Sequence, residues 1–217
     1  MTDVLREGPG VVSITVVGEH LQELNAEAGQ FFRWRFITPD HWRNAHPFSL
    51  SAPPSATHLR LTVEALGDGS RELQDLPVGT WVVAEGPYGA VTPSRRTQRN
   101  VLLIAGGVGI TPMRALFESI PLARGEDLLL LYRARRPEEL LFRAELDALA
   151  VRRGARIGYL LGDDATLTDP AALLLAVPDL AARDVYMCGS PGFTEAVRAA
   201  LDAAGLPPEH LHEERFG

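Results

Sequence analysis

The feature that most constrains the fold is a change in sequence pattern near Asn100. From there onward, short apolar runs such as VLLIA and DLLLLYRA alternate with segments in which apolar residues recur every three or four positions. This alternation predicts a parallel sheet covered by helices, because each parallel strand needs a crossover to reach the next one. The second half is therefore predicted to be an α/β doubly wound parallel sheet.

The preceding residues have the pattern of β structure. Runs rich in Val, Ile, Thr and aromatic residues, bounded by Gly and Pro, occur at 10–18, 29–37, 58–66 and 79–86. One short helical pattern interrupts them at 70–76. This spacing predicts a small closed barrel or a sandwich. The polar stretch TPSRRTQRN (92–100) separates the halves, so we expect two domains, residues 1–97 and 98–217.

Composition excludes several classes of function. The net charge of −7 argues against a nucleic-acid partner, because binding to phosphate backbones requires concentrated positive charge. The chain contains no lysine, which excludes a Schiff-base lysine and a P-loop lysine. A single cysteine, Cys188, excludes a disulfide framework and a four-cysteine iron–sulfur cluster, and the six histidines lack metal-ligand spacing.

The sequence also predicts where the protein works. It shows no apolar run of the roughly 18 residues that a membrane span needs, and no secretory leader precedes Asp3. We expect a soluble and most simply cytoplasmic monomer, with no metal site and no membrane segment of its own.

Two glycine-rich turns are predicted at the carboxyl edge of the parallel sheet, where ligands bind in open α/β sheets. The first follows VLLIA and contains Gly106, Gly107 and Gly109, but its spacing departs from the G-x-G-x-x-G dinucleotide fingerprint. Thr111 falls near a helix N-terminus, which favours an anion such as a pyrophosphate. The second turn runs from Cys188 to Phe193. Taken alone, these turns leave the ligand open.

The stretch AHPFSLSAP (45–53) allows two interpretations. Phe48 is either a core residue of an edge strand or a planar platform for a ring, with the Ser49 hydroxyl beside it. The platform interpretation suits a flavin.

Taken together, four motifs resemble the flavin and nicotinamide module of the ferredoxin–NADP reductase superfamily, over essentially the whole chain. They are His46-Pro47-Phe48-Ser49, Gly67-Asp68-Gly69-Ser70, Gly106-Gly107-Val108-Gly109-Ile110-Thr111-Pro112 and Cys188-Gly189-Ser190-Pro191. The resemblance implies an antiparallel six-stranded β-barrel that binds FAD, followed by the NAD(P)-binding α/β domain. The H-P-F-S form, with His in place of Arg, resembles the branch of ferric reductases and NADPH oxidases, in which a membrane haem domain usually precedes the module.

The resemblance implies a set of flavin contacts. Phe48 would pack on the isoalloxazine ring, Ser49 would hydrogen-bond near its N5, and His46 would approach the ribityl or phosphate chain. Gly69 and Ser70 would face the pyrophosphate, although a loop ending in a Ser N-cap is an alternative for this turn. The implied flavin-binding residues are His46, Pro47, Phe48, Ser49, Thr62, Val63, Glu64, Gly69 and Ser70.

The resemblance likewise implies a nicotinamide site. Its residues are Gly106, Gly107, Gly109, Ile110, Thr111, Pro112, Cys188, Gly189, Ser190 and Pro191, with Arg133 and Arg135 near the adenosine ribose. Cys188 would contact the nicotinamide, although a lone cysteine at a strand end is more often a buried apolar residue. Ser49, Cys188, Glu214 and Phe216 are the implied catalytic residues. The arginines suit an NADPH phosphate and Asp163 suits an NADH ribose, so NADH and NADPH both stay open.

The implied function is an FAD-dependent NAD(P)H oxidoreductase. A hydride would pass from NAD(P)H to flavin N5, and the electrons would go to a ferric chelate, free flavin, oxygen or a haem protein. The alternative is a non-catalytic nucleotide-binding module. Because His is often neutral where relatives have Arg, we expect weak FAD binding that is lost above neutral pH.

Overall fold

Six antiparallel strands dominate the described residues of the first half of the chain. We describe residues 1–39 and 41–213 of the computed structural model, without the side chain of Asp68. The strands are β1 (Asp3–Gly8), β2 (Val11–Val17), β3 (Phe31–Phe36), β4 (His46–Ser49), β5 (His58–Glu64) and β6 (Val82–Tyr88). They form two three-stranded sheets, β1-β2-β5 and β4-β3-β6. The expected six antiparallel strands are confirmed.

The two sheets join into a barrel at both edges. A bridge between Leu50 and Leu61 links β4 to β5. On the opposite side, the Gly79 amide donates to the Met1 carbonyl over 3.0 Å, and the N-terminal amine donates to Thr80 over 3.1 Å. Inward-facing residues such as Trp34 fill the barrel, because alternate residues of a strand point to the same face.

A short helix follows β5. Helix α1 covers Asp68–Glu72, and a 3₁₀ turn continues over Leu73–Asp75, so the helical segment predicted at 70–76 begins earlier and is shorter as an α-helix. Pro77 comes soon after the turn, and a helix of one or two turns gains little from its own hydrogen bonds. The segment is held instead by burial of Leu73 in the barrel core.

The second half is a five-stranded parallel sheet with helices on both faces, which confirms the predicted doubly wound architecture. Its strands are β7 (Asn100–Gly106), β8 (Leu128–Ala134), β9 (Arg156–Leu161), β10 (Arg183–Cys188) and β11 (Leu211–Glu213). Its helices are α2 (Ile110–Ser119), α3 (Arg143–Arg153), α4 (Pro170–Ala176) and α5 (Pro191–Ala203). The sequence pattern did not predict β11, which has only three residues and pairs at the edge of the sheet.

The strand order β11-β10-β7-β8-β9 positions the site. The chain moves outward from β7 through β8 to β9, and then returns to the other side of β7 as β10. The direction of winding therefore reverses between β7 and β10, which opens a crevice beyond their carboxyl ends. No helix in the described residues is long and apolar enough to cross a membrane.

The two halves share an apolar core. Val11, Ala28 and Val91 belong to the same buried cluster as Leu116 and Phe117 of α2. This packing accompanies a close approach of strands β4 and β5 to the carboxyl edge of the parallel sheet.

Candidate functional site

One cavity of about 930 Å³ lies between the halves. Residues of the first half that line it are Phe31, Pro47, Phe48, Ser49, Thr62, Glu64 and Leu66. Predicted residues of the second half that line it are Gly106, Gly107, Gly109, Thr111, Arg133, Arg135, Gly189, Ser190 and Pro191. The structure thus brings the H-P-F-S strand and both glycine turns to one space, as large as typical small-molecule sites.

Strand β4 presents a buried hydroxyl for which the described residues offer no hydrogen-bond partner. Ser49 pairs with Phe31 across the sheet and is only 4% exposed, and its Oγ finds no hydrogen-bond partner within residues 1–39 and 41–213. A buried polar group left without a partner costs about 1–3 kcal/mol. Ser49 therefore suits a ligand that brings a polar atom to this wall. The strand itself is anchored because the indole N–H of Trp34 donates to the Phe48 carbonyl over 2.9 Å.

His46 begins β4, next to the cavity lining. Its ring stacks on that of Phe48 with centroids 6.0 Å apart, and its Nε2 is buried with no hydrogen-bond partner in the described part of the chain. Burial lowers the pKa of His46, electrostatic repulsion from the nearby His41 lowers it further, and attraction to Glu72 opposes both effects. The imidazole is therefore mostly neutral at pH 7.

Gly69 allows the helix α1 turn to approach His46. A Cβ at Gly69 would lie 3.2 Å from His46 Cε1. The neighbouring Ser70 hydroxyl is engaged in its own turn, where it accepts from the Leu66 and Gly67 amides over 3.0 and 2.9 Å and donates to the Gly67 carbonyl. Gly69 and Ser70 lie outside the cavity lining, so their contact with a pyrophosphate stays a prediction.

The two glycine turns pack directly against each other. A Cβ at Gly109 would lie 2.5 Å from the Cys188 carbonyl carbon and 2.7 Å from the Gly189 amide nitrogen, so only glycine fits. Gly107 adopts a φ of +55°, which also favours glycine. These glycines let the ends of β7 and β10 meet and form the floor of the crevice.

Several predicted residues support the wall without lining the cavity. Cys188 ends β10 and is only 1% exposed, and Ile110 and Pro112 are buried in the first turn of α2. Val63 points into the barrel core. The roles predicted for these residues stay predictions, and Glu214 and Phe216 lie outside the described residues.

Charged residues of the α/β half, Arg133, Arg135 and Glu139, line part of the cavity. Arg133 donates to the Gly162 carbonyl over 2.8 Å, and its Nε is buried without a hydrogen-bond partner among the residues described. Glu139 accepts from the Arg135 amide over 3.2 Å, and Arg136 holds the pKa of the Glu139 carboxyl below its usual range. Burial and the charge of Glu139 raise the pKa of Glu64 on the opposite wall.

Sequence reasoning missed part of the lining: Phe31, Leu66, Val108, Ala134, Glu139 and Phe193. Phe193 illustrates why these residues were missed. Its ring packs against both glycine turns, and its Cδ1 lies 2.7 Å from the position that a Cβ of Gly106 would occupy. Its position in Cys188–Phe193 was visible in the sequence, but its contact with the other turn depends on the pairing of β7 with β10. Within 1–39 and 41–213, no group of three or more His, Cys, Asp or Glu could hold a metal ion.

Comparison with known proteins agrees with this geometry. Residues 103–199 match the family model described as an oxidoreductase NAD-binding domain. The reductase subunit of glycine betaine monooxygenase from Chromohalobacter salexigens is 30% identical over 186 residues, which are 78% of this chain and 50% of that protein. The FAD/NAD-binding domain of nitric oxide dioxygenase from Vibrio cholerae has the same fold, with a TM-score of 0.79 at 24% identity over 99% of this chain and 96% of that chain.

The family of this chain follows from its similarity to a relative of similar length. Ferredoxin–NADP reductase B from Sorangium cellulosum is 30% identical over 184 residues, which cover 76% of this chain and 75% of that protein. Several other curated relatives are longer, and the chain spans about half of their length. With its strand order, its paired glycine turns and this similarity, the chain belongs to the ferredoxin–NADP reductase superfamily of oxidoreductases.

Proposed function

We propose that this chain is an FAD-dependent NAD(P)H oxidoreductase that delivers electrons to an external acceptor. The observation that carries the proposal is the shared cavity, in which Phe48 and Ser49 of the barrel face the two glycine turns of the α/β half. We assign FAD to residues 1–97 and the nicotinamide nucleotide to residues 98–217.

The residues at the barrel wall fit a flavin. The cavity is large enough for a planar ring, and Phe48 and Phe31 supply aromatic surface. The buried Ser49 hydroxyl, which bonds no other group in the described part of the chain, would bond a ligand atom. A bound flavin supplies the acceptor for the hydride of a reduced nicotinamide and passes the electrons onward. Ser49 would hydrogen-bond the ring near N5, and His46, close to Gly69, would face the ribityl or phosphate chain.

The second half would hold the nucleotide. The glycine turns allow its backbone to approach closely, and Thr111 in the first turn of α2 lies where helix N–H groups favour a pyrophosphate. Arg133 and Arg135 would lie near the adenosine end. Cys188 would position the nicotinamide from behind the wall, and Glu214 and Phe216 would act from the C-terminal segment.

The acceptor is proposed by chemical class. The matched relatives include reductase subunits of oxygenases and a flavohemoprotein, so a ferredoxin-like or haem partner suits this chain, beside a ferric chelate, free flavin or oxygen. The finer assignment to the ferric reductase and NADPH oxidase branch rests on the H-P-F-S motif. We also propose a cytoplasmic monomer.

Anaerobic reduction tests the proposed function. We expect the protein reconstituted with FAD to be yellow and to bleach on addition of NADH or NADPH, because each nucleotide would place its hydride beside the ring. Comparing the rates of bleaching by NADH and by NADPH also identifies the nucleotide that is the electron donor. A protein that stays colourless with FAD, or a yellow one that neither nucleotide bleaches, would support the non-catalytic alternative.

The affinity for FAD should depend on pH through His46. A phosphate favours the protonated imidazole, and burial lowers the pKa of His46 before FAD binds. Binding should therefore be strongest at acid pH, and it should begin to weaken below the ordinary His value of about 6.5, because the pKa of His46 in the FAD-free protein is lowered; the total loss should be about tenfold. Fluorescence titrations at about pH 5 and about pH 8 measure this. The His46→Arg variant should bind FAD tightly at both pH values, and equal pH dependence in the two proteins would contradict the role of His46.

A further inference from the structure

A partly buried ion cluster joins the two halves beside the cavity. We name it the Arg60 cluster, made up of Arg60 on β5, Arg114 and Glu118 on α2, and Glu145 on α3. Nη1 of Arg60 lies 3.3 Å from each carboxylate oxygen of Glu145. Arg114 also donates to Glu145, and it pairs with Glu118 over 2.6 Å. Glu145 therefore receives one arginine from each half.

The surroundings of the cluster hold it in place. The side chains of Arg60 and Arg114 are only 20% and 6% exposed. The Arg60 guanidinium carbon lies 5.1 Å above the Phe142 ring. Phe142 adopts a φ of +58°, a conformation that is rare for aromatic residues and persists only where surrounding contacts hold it. The fold thus tolerates a strained residue at the start of α3, where its ring contacts Arg60.

Hydrogen bonds connect the cluster to one wall of the cavity. Arg60 donates to the Ser51 carbonyl over 2.6 Å and to the Ser51 hydroxyl over 3.2 Å. The Thr62 hydroxyl also donates to the Ser51 hydroxyl oxygen, over 2.8 Å, and Thr62 lines the cavity.

Helix α2 connects the cluster to the opposite wall. Arg114 lies one turn after Thr111, which lines the cavity immediately after the first glycine turn. A displacement of α2 relative to β5 would therefore move the glycine turn relative to Thr62 and change the width of the cavity.

The remaining contact between the halves includes apolar packing around Val11, Ala28 and Val91. Apolar burial is non-directional, whereas the Glu145 carboxylate, which is 33% exposed and held by two guanidinium groups, requires a defined geometry. Without Arg60, Glu145 would keep its pairing with Arg114 inside the α/β half but would lose this charged contact with the barrel.

We propose that Arg60 is a positioning residue, which acts through Glu145 to fix the barrel against α2 and α3 and thereby sets the distance between the flavin wall and the nicotinamide wall. This inference rests on the proposed function.

The Arg60→Gln variant tests the proposal by separating the rate from the affinity. The nucleotide contacts belong mainly to the α/β half, whereas hydride transfer needs both walls at the correct distance. We expect the rate of flavin reduction at saturating nucleotide to fall about tenfold, with the Kd for the nucleotide changed less than about twofold. Arg60→Lys keeps the charge and should recover part of the rate.

A matched control distinguishes position from charge. Arg6 pairs with Asp75 over 3.3 Å on the surface of the barrel half, and the Arg6 side chain is 74% exposed. The Arg6→Gln variant removes the same charge without a buried partner, so its reduction rate should stay within about twofold of the parent. A rate for Arg60→Gln equal to that of Arg6→Gln would overturn the proposal.

Hydrogen exchange without nucleotide gives a readout independent of turnover. Arg60→Gln and Glu145→Gln should each raise amide exchange at residues 106–111, and the double variant should exchange no faster than Glu145→Gln alone, because Glu145→Gln already breaks the ion pair with Arg60. If the parent protein does not bleach, the proposed function fails, while exchange still tests the coupling. If Arg60→Gln does not fold, Arg60→Lys and Glu145→Gln are compared with the parent instead. Unchanged exchange, or effects of the two changes that add in the double variant, would contradict the role of Arg60.

Discussion

The Gly109→Ala variant is expected to lose most of its reaction with the nicotinamide nucleotide. The added methyl group would overlap the Cys188 carbonyl and the Gly189 amide, and both are backbone groups that cannot rotate away. The two glycine turns must then separate, which moves the floor of the crevice. Because a displacement of about 1 Å can reduce a rate by about 100-fold, we expect a loss of that size in flavin reduction at saturating nucleotide, measured by anaerobic stopped flow.

Gly192→Ala is the matched control for this prediction. Gly192 lies in the first turn of α5, and a methyl group added there would meet no described atom within 4 Å beyond its chain neighbours and its own helix backbone. Alanine is favoured over glycine in helices by about 1 kcal/mol, so this variant should be at least as stable as the parent and reduce flavin normally. A Gly109→Ala protein that reacts as fast as Gly192→Ala would show that the contact between the turns does not shape the site.

The Ser49→Ala variant should separate function from stability. Since the Ser49 hydroxyl is buried without a protein partner among the described residues, its removal should leave the melting temperature of the FAD-free protein unchanged or higher. If the hydroxyl bonds the flavin near its reacting atom, flavin reduction should slow by about 100-fold, which is the loss seen when one preorganised donor is removed. Calorimetry and stopped-flow absorbance measure the two effects.

Ser13→Ala should give the opposite result. Ser13 is buried on β2 and its hydroxyl bonds that of Thr62 over 2.8 Å, outside the cavity lining. Its removal should cost about 1 kcal/mol of stability and leave the reduction rate close to that of the parent. Two serine variants with the same profile would contradict the distinction between a hydroxyl that supports the fold and one that binds a ligand.

Local sequence patterns predicted the architecture well. The Val-rich run at 10–18 and the Leu-rich run at 58–66 became β2 and β5, and VLLIA became the centre of β7. These elements are readable because each carries its own periodicity and its own Gly or Pro boundaries. Strand β11 was missed because three residues are too few to show a period.

The site was predictable only where a motif was local. Phe48 and Ser49 are adjacent in the sequence, so their placement on one strand could be predicted. The contact of Gly109 with Cys188 and the pairing of Arg60 with Glu145 join residues far apart in the chain, and they depend on strand order and on how the halves pack. Glu139 was missed for the same reason, since only the fold places it opposite Glu64.

The most direct test of the account is a crystal structure of the FAD-loaded protein with an oxidised nicotinamide nucleotide. We predict that the isoalloxazine ring lies in the cavity between the halves, within hydrogen-bond distance of Ser49, and that the nucleotide follows the two glycine turns. A flavin bound outside this cavity, or a cavity closed by protein side chains when both molecules are present, would contradict the account.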